Sequence, residues 1–497
     1  MKKLILIGCL IVMLALILQT SQVYAFKFLD DTLDIKGNVQ QTINIRTNKD
    51  VRDVRYSSFR TMFRIESMYT MMSCPNYEIK FYGLASYYND AALAIDDNQR
   101  KAIRREAGSS YFDNFARPGN DKQWLKEVYL DIKTNTFQAR IGKQLVSWGE
   151  TTEARVTDVI NPLDTTYLIA FPDWEDFKIG VWMARLFYTP ENMWQNLAFE
   201  AIIIPFDFQR QIVPPAGSGL FFGPPPFGFP LPATGFQMVL NQQYYDRPAS
   251  SPSKSLEAGL RIKGYWGIGD GIDWTISHFY TRLDSPLVNG NKGYNNQLRM
   301  LLGLPHGKVF TYPHYNSTGA TFSTTVGGWV KSTIRGEAVW NRRDYQFGTP
   351  VITYDVKEKD LITTCLNISR NTMIPYIKDL FGNRERSVNI SFYWYQYWLL
   401  HREVDDKTNS FIRWESGKKA SQWTKFTLSL STGFWFDRIT PMLNLAYDTT
   451  GTMTTAPALM FQPGDHWQWM ASYQHINTSG YGKYQDQVIL SARYEFW

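Results

Sequence analysis

Six histidines and a scatter of serines are the side chains that could build a nucleophile and base. A hydrolytic serine needs a histidine within hydrogen-bond reach and a third group orienting that histidine. The nearest pairings in sequence are Ser277 with His278 and Ser472 with His475. Residues one or three apart on an extended chain point to opposite faces, so neither pair meets within a strand. His278, His306, His314, His401, His466 and His475 show no metal-site spacing, and His-Glu-x-x-His is absent. The run Gly267-Ile268-Gly269-Asp270-Gly271 looks like a phosphate loop, but it joins two strands, so it reads as a turn. Glu127 and Asp131 invite an acid–base reading. Arg140 close by makes an ion ladder the simpler account. The expectation is a non-enzyme with no cofactor and no metal.

The elements that must carry these residues are strands. Period-2 alternation recurs at 33–43, 59–69, 77–88, 127–133, 137–148, 180–188, 197–206, 256–265, 273–280, 320–325, 330–341, 361–369, 388–399, 425–436, 442–447, 455–461, 467–475 and 486–496. Some connections are tight, such as Thr134-Asn135, Asp437-Arg438 and Pro463-Gly464-Asp465. Others are long, above all the Pro- and Gly-rich stretch 209–253. No repeat and no domain boundary stands out.

The chain starts with Lys2 and Lys3, an apolar stretch to Leu18, and Val23-Tyr24-Ala25 as a cleavage site. Residues 1–25 therefore read as a secretory signal peptide, leaving 26–497 as a single domain. Cys9 sits too early for a lipoprotein box. The remaining cysteines, Cys74 and Cys365, make no disulfide framework, and spacing leaves their pairing open. A net charge of +6 on 497 residues is mild and does not suggest nucleic acid. No stretch after the signal peptide has the roughly 18 consecutive apolar residues of a membrane helix. Yet the chain is 15% aromatic. A transmembrane barrel accounts for that content, because aromatics form girdles at both interfaces. The predicted fold is all-β: a transmembrane antiparallel up-and-down β-barrel of about 16 strands, within roughly 14 to 18, with an infolded loop.

The stretch Arg140 to Glu150 is the most informative. Taking Thr134-Asn135 as a two-residue loop pairs Asp131 with Gln138, Tyr129 with Arg140 and Glu127 with Gly142. Ile132–Phe137, Leu130–Ala139 and Val128–Ile141 then make a wholly apolar opposite face. A one-residue slip would exchange the faces. In a barrel the apolar face meets lipid and the polar face a watery lumen. Lys126 and Lys143 then fall at the upper edge of the apolar band, where lysines can snorkel to headgroups. Alternation stops at Trp148-Gly149-Glu150, and the next clear strand starts near Gly180. A connection that long is unusual unless functional. It is expected to fold into the lumen over about 148–179, with Glu150 pairing a lumen arginine. Trp148 and Glu150 either only anchor this loop or touch what passes.

The motif Arg140-x-Gly142-Lys143-Gln144-x-x-x-Trp148-Gly149-Glu150, followed by Asn161-Pro162 and Asp164, resembles an uncharacterised (domain-of-unknown-function) family of Gram-negative outer-membrane β-barrel proteins. Lys143 stands where arginine is more usual, and the preceding Glu127–Asp131 segment is also similar. The resemblance implies outer-membrane location, with lipid and lipopolysaccharide around the barrel and the barrel-assembly machinery as a biogenesis partner. Trp497 fits that machinery's C-terminal signal imperfectly, since Phe496 continues the apolar face. The resemblance further suggests a resistance-nodulation-division type exporter nearby and hydrophobic or amphipathic cargo, and it brings no catalytic residues. The expected function is a porin-like channel or transporter. Its lumen and constriction residues would be Glu127, Asp131, Arg140, Gln144, Trp148, Glu150, Asn161 and Asp164. The alternatives are a lipid-hydrolysing barrel and a non-transporting structural or adhesin barrel.

Overall fold

The computed structural model describes residues 26–28, 32–47, 55–106, 124–151, 155–164, 166, 174–191, 194–209, 211–212, 255–284, 287–288, 299, 307, 310–328, 330–346, 357–379, 384–400, 422–449, 451–477 and 486–496. The segment read as a signal peptide, Trp497, His306, His401 and most of the Pro- and Gly-rich stretch lie outside them.

The strands are β1 (Phe26–Phe28), β2 (Leu33–Arg46), β3 (Tyr56–Cys74), β4 (Tyr77–Asp90), β5 (Leu125–Thr134), β6 (Phe137–Gln144), β7 (Val181–Tyr188), β8 (Ala198–Ile204), β9 (Glu257–Trp266) and β10 (Ile272–Arg282). After the ribbon of β11 (Leu287–Val288) and β12 (Phe310–Thr311) come β13 (His314–Val326), β14 (Ser332–Gln346), β15 (Lys357–Lys378), β16 (Glu385–Leu399) and β17 (Gln422–Thr432). The last are β18 (Ile439–Asp448), β19 (Met453–Phe461), β20 (Trp467–Asn477) and β21 (Gln487–Phe496). Three short helices lie between strands: α1 (Ala92–Ile95), α2 (Asp97–Glu106) and α3 (Trp174–Phe177).

Each stave pairs antiparallel with its sequence neighbour, and β2 pairs with β21, so the sheet closes on itself. Closure leaves no open edge within a bilayer. Eighteen strands, β2–β10 and β13–β21, form this up-and-down barrel. This corrects the centre of about 16 to the top of the expected range. All eighteen alternating runs in the sequence correspond to staves. β1 adds a short piece beside β2, beyond the end of β21.

One end carries the chain termini and short connections such as 75–76, 135–136, 327–331 and 462–466. The opposite end carries the long ones: 91–124, 145–180, 205–256, 283–313 and 400–421. The outer surface is apolar. Ile141, Trp182, Leu260, Ile276, Trp340 and Trp394 are among the large exposed side chains facing out. Their inward neighbours are polar, as in Arg140, Arg261 and Ser277. Inside and outside solvents of opposite character are what fixes the alternation.

The hairpin of β5 and β6 corrects the expected register. Asp131 lies opposite Arg140, Tyr129 opposite Gly142 and Leu130 opposite Ile141, with Asn135-Thr136 as the turn. Thr134 Oγ1 accepts from the Phe137 N–H at 3.0 Å, which holds the turn one residue later than expected. The shift moves partners by two, so both faces keep their character.

The two lysines placed at a lipid interface are instead buried. A bulge between Leu125 and Glu127 turns Lys126 inward, where its Nζ donates to Asp176 O (2.7 Å) and Lys178 O (3.2 Å). Lys143 follows Gly142 (φ +143°) and keeps its register opposite Val128 and Trp182, with its Cε against Gly180. A Cβ at Gly142 would stand 2.2 Å from Val128 O, so only glycine fits there. Lys143 and Gln144 are both buried.

The Ser–His pairings also separate as alternation requires. Ser277 is buried on the inner face, while His278 faces out beside Thr318. Ser472 is buried, while His475 is half-exposed against Asp486 at 2.8 Å. Among the described residues no three His, Cys, Asp or Glu side chains gather at metal-binding range. Cys74 is exposed, Cys365 is buried, and the two are not joined in a disulfide.

Candidate functional site in the lumen

β6 ends at Gln144, four residues earlier than its alternation suggested, and the chain leaves the wall at Leu145. Glu127 on β5 marks the departure: its Oε1 accepts from the Leu145 N–H at 2.8 Å. Gln144 anchors the last turn of wall by donating to Arg140 O (3.1 Å) and Met183 O (3.2 Å). One turn of strand below, Arg140 donates to Asp131 at 2.7 Å and lies 4.8 Å over the Tyr129 ring. Gln138 donates to the same carboxylate at 2.7 Å.

The neck of segment 145–180 is stapled by Asn161, which is fully buried. Its Oδ1 accepts from Val146 N–H (2.7 Å), and its Nδ2 donates to Gln144 O (3.0 Å) and Ile179 O (2.8 Å). One amide thus satisfies three backbone groups of two different strand ends, an economical answer to burying them. The returning limb runs antiparallel to 162–164, with Asp164 N–H donating to Phe177 O and Ile179 N–H to Pro162 O. Asp164 is buried and caps the following turn, accepting from Thr166 N–H at 3.0 Å. Lys178 Nζ pairs with Asp158 at 2.7 Å and donates to Val146 O and Ser147 Oγ.

Beyond the neck the segment crosses the lumen. Trp148 is buried among Val146, Ile160, Val181, Met183, Ile202, Ile204 and Phe279. Its ring meets Phe279 edge-on at 5.8 Å, and the Arg261 guanidinium covers it at 5.2 Å. Room for the ring exists because β9 carries Gly259 there. A Cβ on Gly259 would come within 2.9 Å of the indole and 2.4 Å of Phe279. Arg261 is held by Glu200 (2.9 Å through Nε), whose other oxygen takes Arg185 at 2.7 Å, making a buried cation–anion–cation row.

The far attachment is Glu337 on β14. Its Oε1 accepts from Glu150 N–H (2.7 Å), Thr151 N–H (2.5 Å) and Thr151 Oγ1 (2.6 Å). Its Oε2 accepts from Thr157 N–H (3.1 Å) and Thr157 Oγ1 (2.9 Å). Next to it Val156 packs into Val339, Cys365, Tyr393 and Tyr395 of β14–β16. On the returning side Asp176 pairs with Arg64 of β3 at 2.8 Å. The segment therefore touches the wall from β3 round to β16.

Glu150 makes no ion pair among the described residues, which corrects the expected partner arginine. Burial pushes its carboxyl above the usual range, and Glu337 adds to this, against the pull of Lys263, Arg261 and Arg335. Its backbone, rather than its side chain, makes the attachment.

The structure gathers Trp148, Glu150, Asn161 and Asp164 into one infolded segment, with Glu127 and Gln144 at its root and Asp131–Arg140 on the wall below. Sequence reasoning missed Glu337, Lys178, Asp176 and the Arg185–Glu200–Arg261 row. Glu337 alternates like any other inward charge, so nothing local in the sequence distinguishes it.

The sequence matches the protein family of unknown function DUF1302 over residues 6–496. The chain belongs to that family. None of the curated proteins matches it. Among solved structures it is similar to OccAB2 of Acinetobacter baumannii, at 9% identity and a TM-score of 0.46 over 95% of this chain and 99% of that one. It is also similar to OpdK of Pseudomonas aeruginosa solved with vanillate, at 8% identity and a TM-score of 0.47 over 94% and 99%. The outer membrane channel DcaP of Acinetobacter baumannii is similar at 8% identity and a TM-score of 0.42 over 95% and 100%. Likenesses this distant carry no argument about what this DUF1302 chain binds.

Proposed function

We propose that this protein is an outer-membrane channel whose passage is controlled by segment 145–180 together with the charges of the lumen wall. The observation that carries the reading is the fixation of that segment. A closed barrel with an apolar exterior and a polar interior is crossed inside by a stretch held at Asn161, Trp148 and Glu337. A structural or adhesin barrel has no need of a buried strut tied to both sides of its own lumen. A pore that must admit solutes selectively does, because a fixed constriction sets what passes.

The two Ser–His pairings a hydrolase reading would use are separated, since Ser277 and Ser472 face away from their neighbouring histidines. The apolar exterior suits surrounding lipid, and the long connections would face outward from the cell.

The test is electrical. Refolded protein in a planar bilayer is expected to conduct in small steps with weak ion selectivity, because the wall carries both signs of charge. Complete silence from protein shown to be folded would overturn the channel reading.

A further inference from the structure

The inner wall divides into two unlike sectors, and the register identifies which residues share each level. From Glu78 the pairing runs through Lys133, Gln138, Phe187 and Glu200 to Arg261. That level of β4–β9 is charged. On the other side, Ser369, Ser391, Ser429, Asn444 and Ala456 lie side by side on β15–β19. The next level towards the termini reads Asn371, Asn389, Ser431, Met442 and Ala458. Among the described residues, the inward positions of β17–β19 carry a charge only at Lys425 and Asp448, paired at the long-loop end.

Cover differs in the same way. Arg185, Glu200, Arg261, Ser277, Thr321 and Glu337 are all buried at under a tenth of full exposure, beneath segment 145–180. Ser429, Ser431, Met442 and Asn444 keep intermediate exposure although they too point inward. The strut thus closes the charged sector against itself and, among the described residues, leaves the β17–β18 part of the neutral sector partly exposed, with Ala456 and Ala458 of β19 buried beside it.

We infer that the open lane of this channel runs along β17–β18 and takes uncharged, hydrogen-bonding solutes in preference to ions. The inference rests on the channel reading above. A neutral solute leaving water needs replacement hydrogen bonds, which serine, asparagine and threonine side chains supply. An ion on that lane would lose hydration without meeting a counter-charge, since the compensating carboxylates and guanidiniums are packed under the strut. Met442 at the lower level favours solutes with some apolar surface.

The lane is mapped with single cysteines in a Cys74→Ser/Cys365→Ser background. Ser429→Cys and Asn444→Cys probe the lane, and Ser277→Cys probes the covered sector. The reagent is an uncharged, hydroxyl-bearing methanethiosulfonate, and the readout is swelling of liposomes in arabinose. Both lane variants should react at least about tenfold faster than Ser277→Cys, in line with the protection a packed segment gives. Their modification should cut arabinose uptake by roughly half or more by narrowing the lane. Equal reactivity at Ser277→Cys, or undiminished uptake after modification at both lane sites, overturns the inference while leaving a channel that still swells liposomes. Folded unmodified protein that admits no arabinose and passes no current overturns the channel reading and the lane with it.

Discussion

Glu337→Gln should open the barrel. One carboxylate receives five donors from the lumen segment, three at Oε1 and two at Oε2. Hydrogen bonds to a charged group contribute about 1.5–3 kcal/mol each, though bonds sharing one acceptor do not add. Glutamine keeps the shape but turns one oxygen into an NH2 group facing N–H donors. Whichever way the amide lies, at least one backbone N–H loses its acceptor, since only the threonine hydroxyls can turn to accept from the NH2 group, and a buried donor left unmatched costs about 1–3 kcal/mol. The far end of the segment should then come away from β14 while the neck at Asn161 stays closed. Single-channel conductance is expected to rise several-fold, and trypsin should cut after Arg155, which folded wild-type protein protects. Unchanged conductance together with unchanged trypsin resistance would show that the Val156 contacts hold the strut without Glu337.

Trp148→Ala should have the largest effect on stability. The indole is buried to 1% exposure within an eight-residue apolar cluster joining the segment to β7, β8 and β10. Truncating a buried tryptophan typically costs about 3–5 kcal/mol, part of it from the cavity left behind. The cation–π contact with Arg261 is lost as well, leaving its guanidinium beside an empty space. The barrel ladder does not pass through Trp148, so the wall should persist. Calorimetry is expected to show an early transition for the segment, well below that of the barrel, with Trp148→Phe restoring most of the loss. A single transition at the wild-type temperature would mean that the cluster contributes little to holding the segment.

The staves were legible because two solvents of opposite character impose a strict two-residue period, and all eighteen runs carry it. Counting them down to about 16 discarded a signal that was sound. The register of β5 and β6 was legible only to within two residues, because sliding by two preserves both faces and Thr134 decides the turn through its own hydroxyl. Lys126 departs for a related reason: a bulge breaks alternation locally, and a pattern argument assumes it continues, whereas Lys143 keeps its register and is buried against the chain at Gly180. The infolding at Trp148 was readable from the length of the connection. Its far attachment was not, since Glu337 lies 187 residues beyond Glu150 and only closure of the barrel brings them together.

The central claim, that segment 145–180 reaches across the lumen to the far wall, has a direct test in a native cysteine. Val156 of the segment and Cys365 of β15 belong to the same buried cluster. A Cys74→Ser/Val156→Cys protein, folded and then oxidised mildly, should form a disulfide to Cys365. The bond should hold trypsin fragments of the segment and β15 together until reduction, with single-channel conductance no higher than wild type. Both thiols staying free under oxidation and reacting rapidly with a membrane-impermeant reagent would contradict the account, because the segment would then not cross.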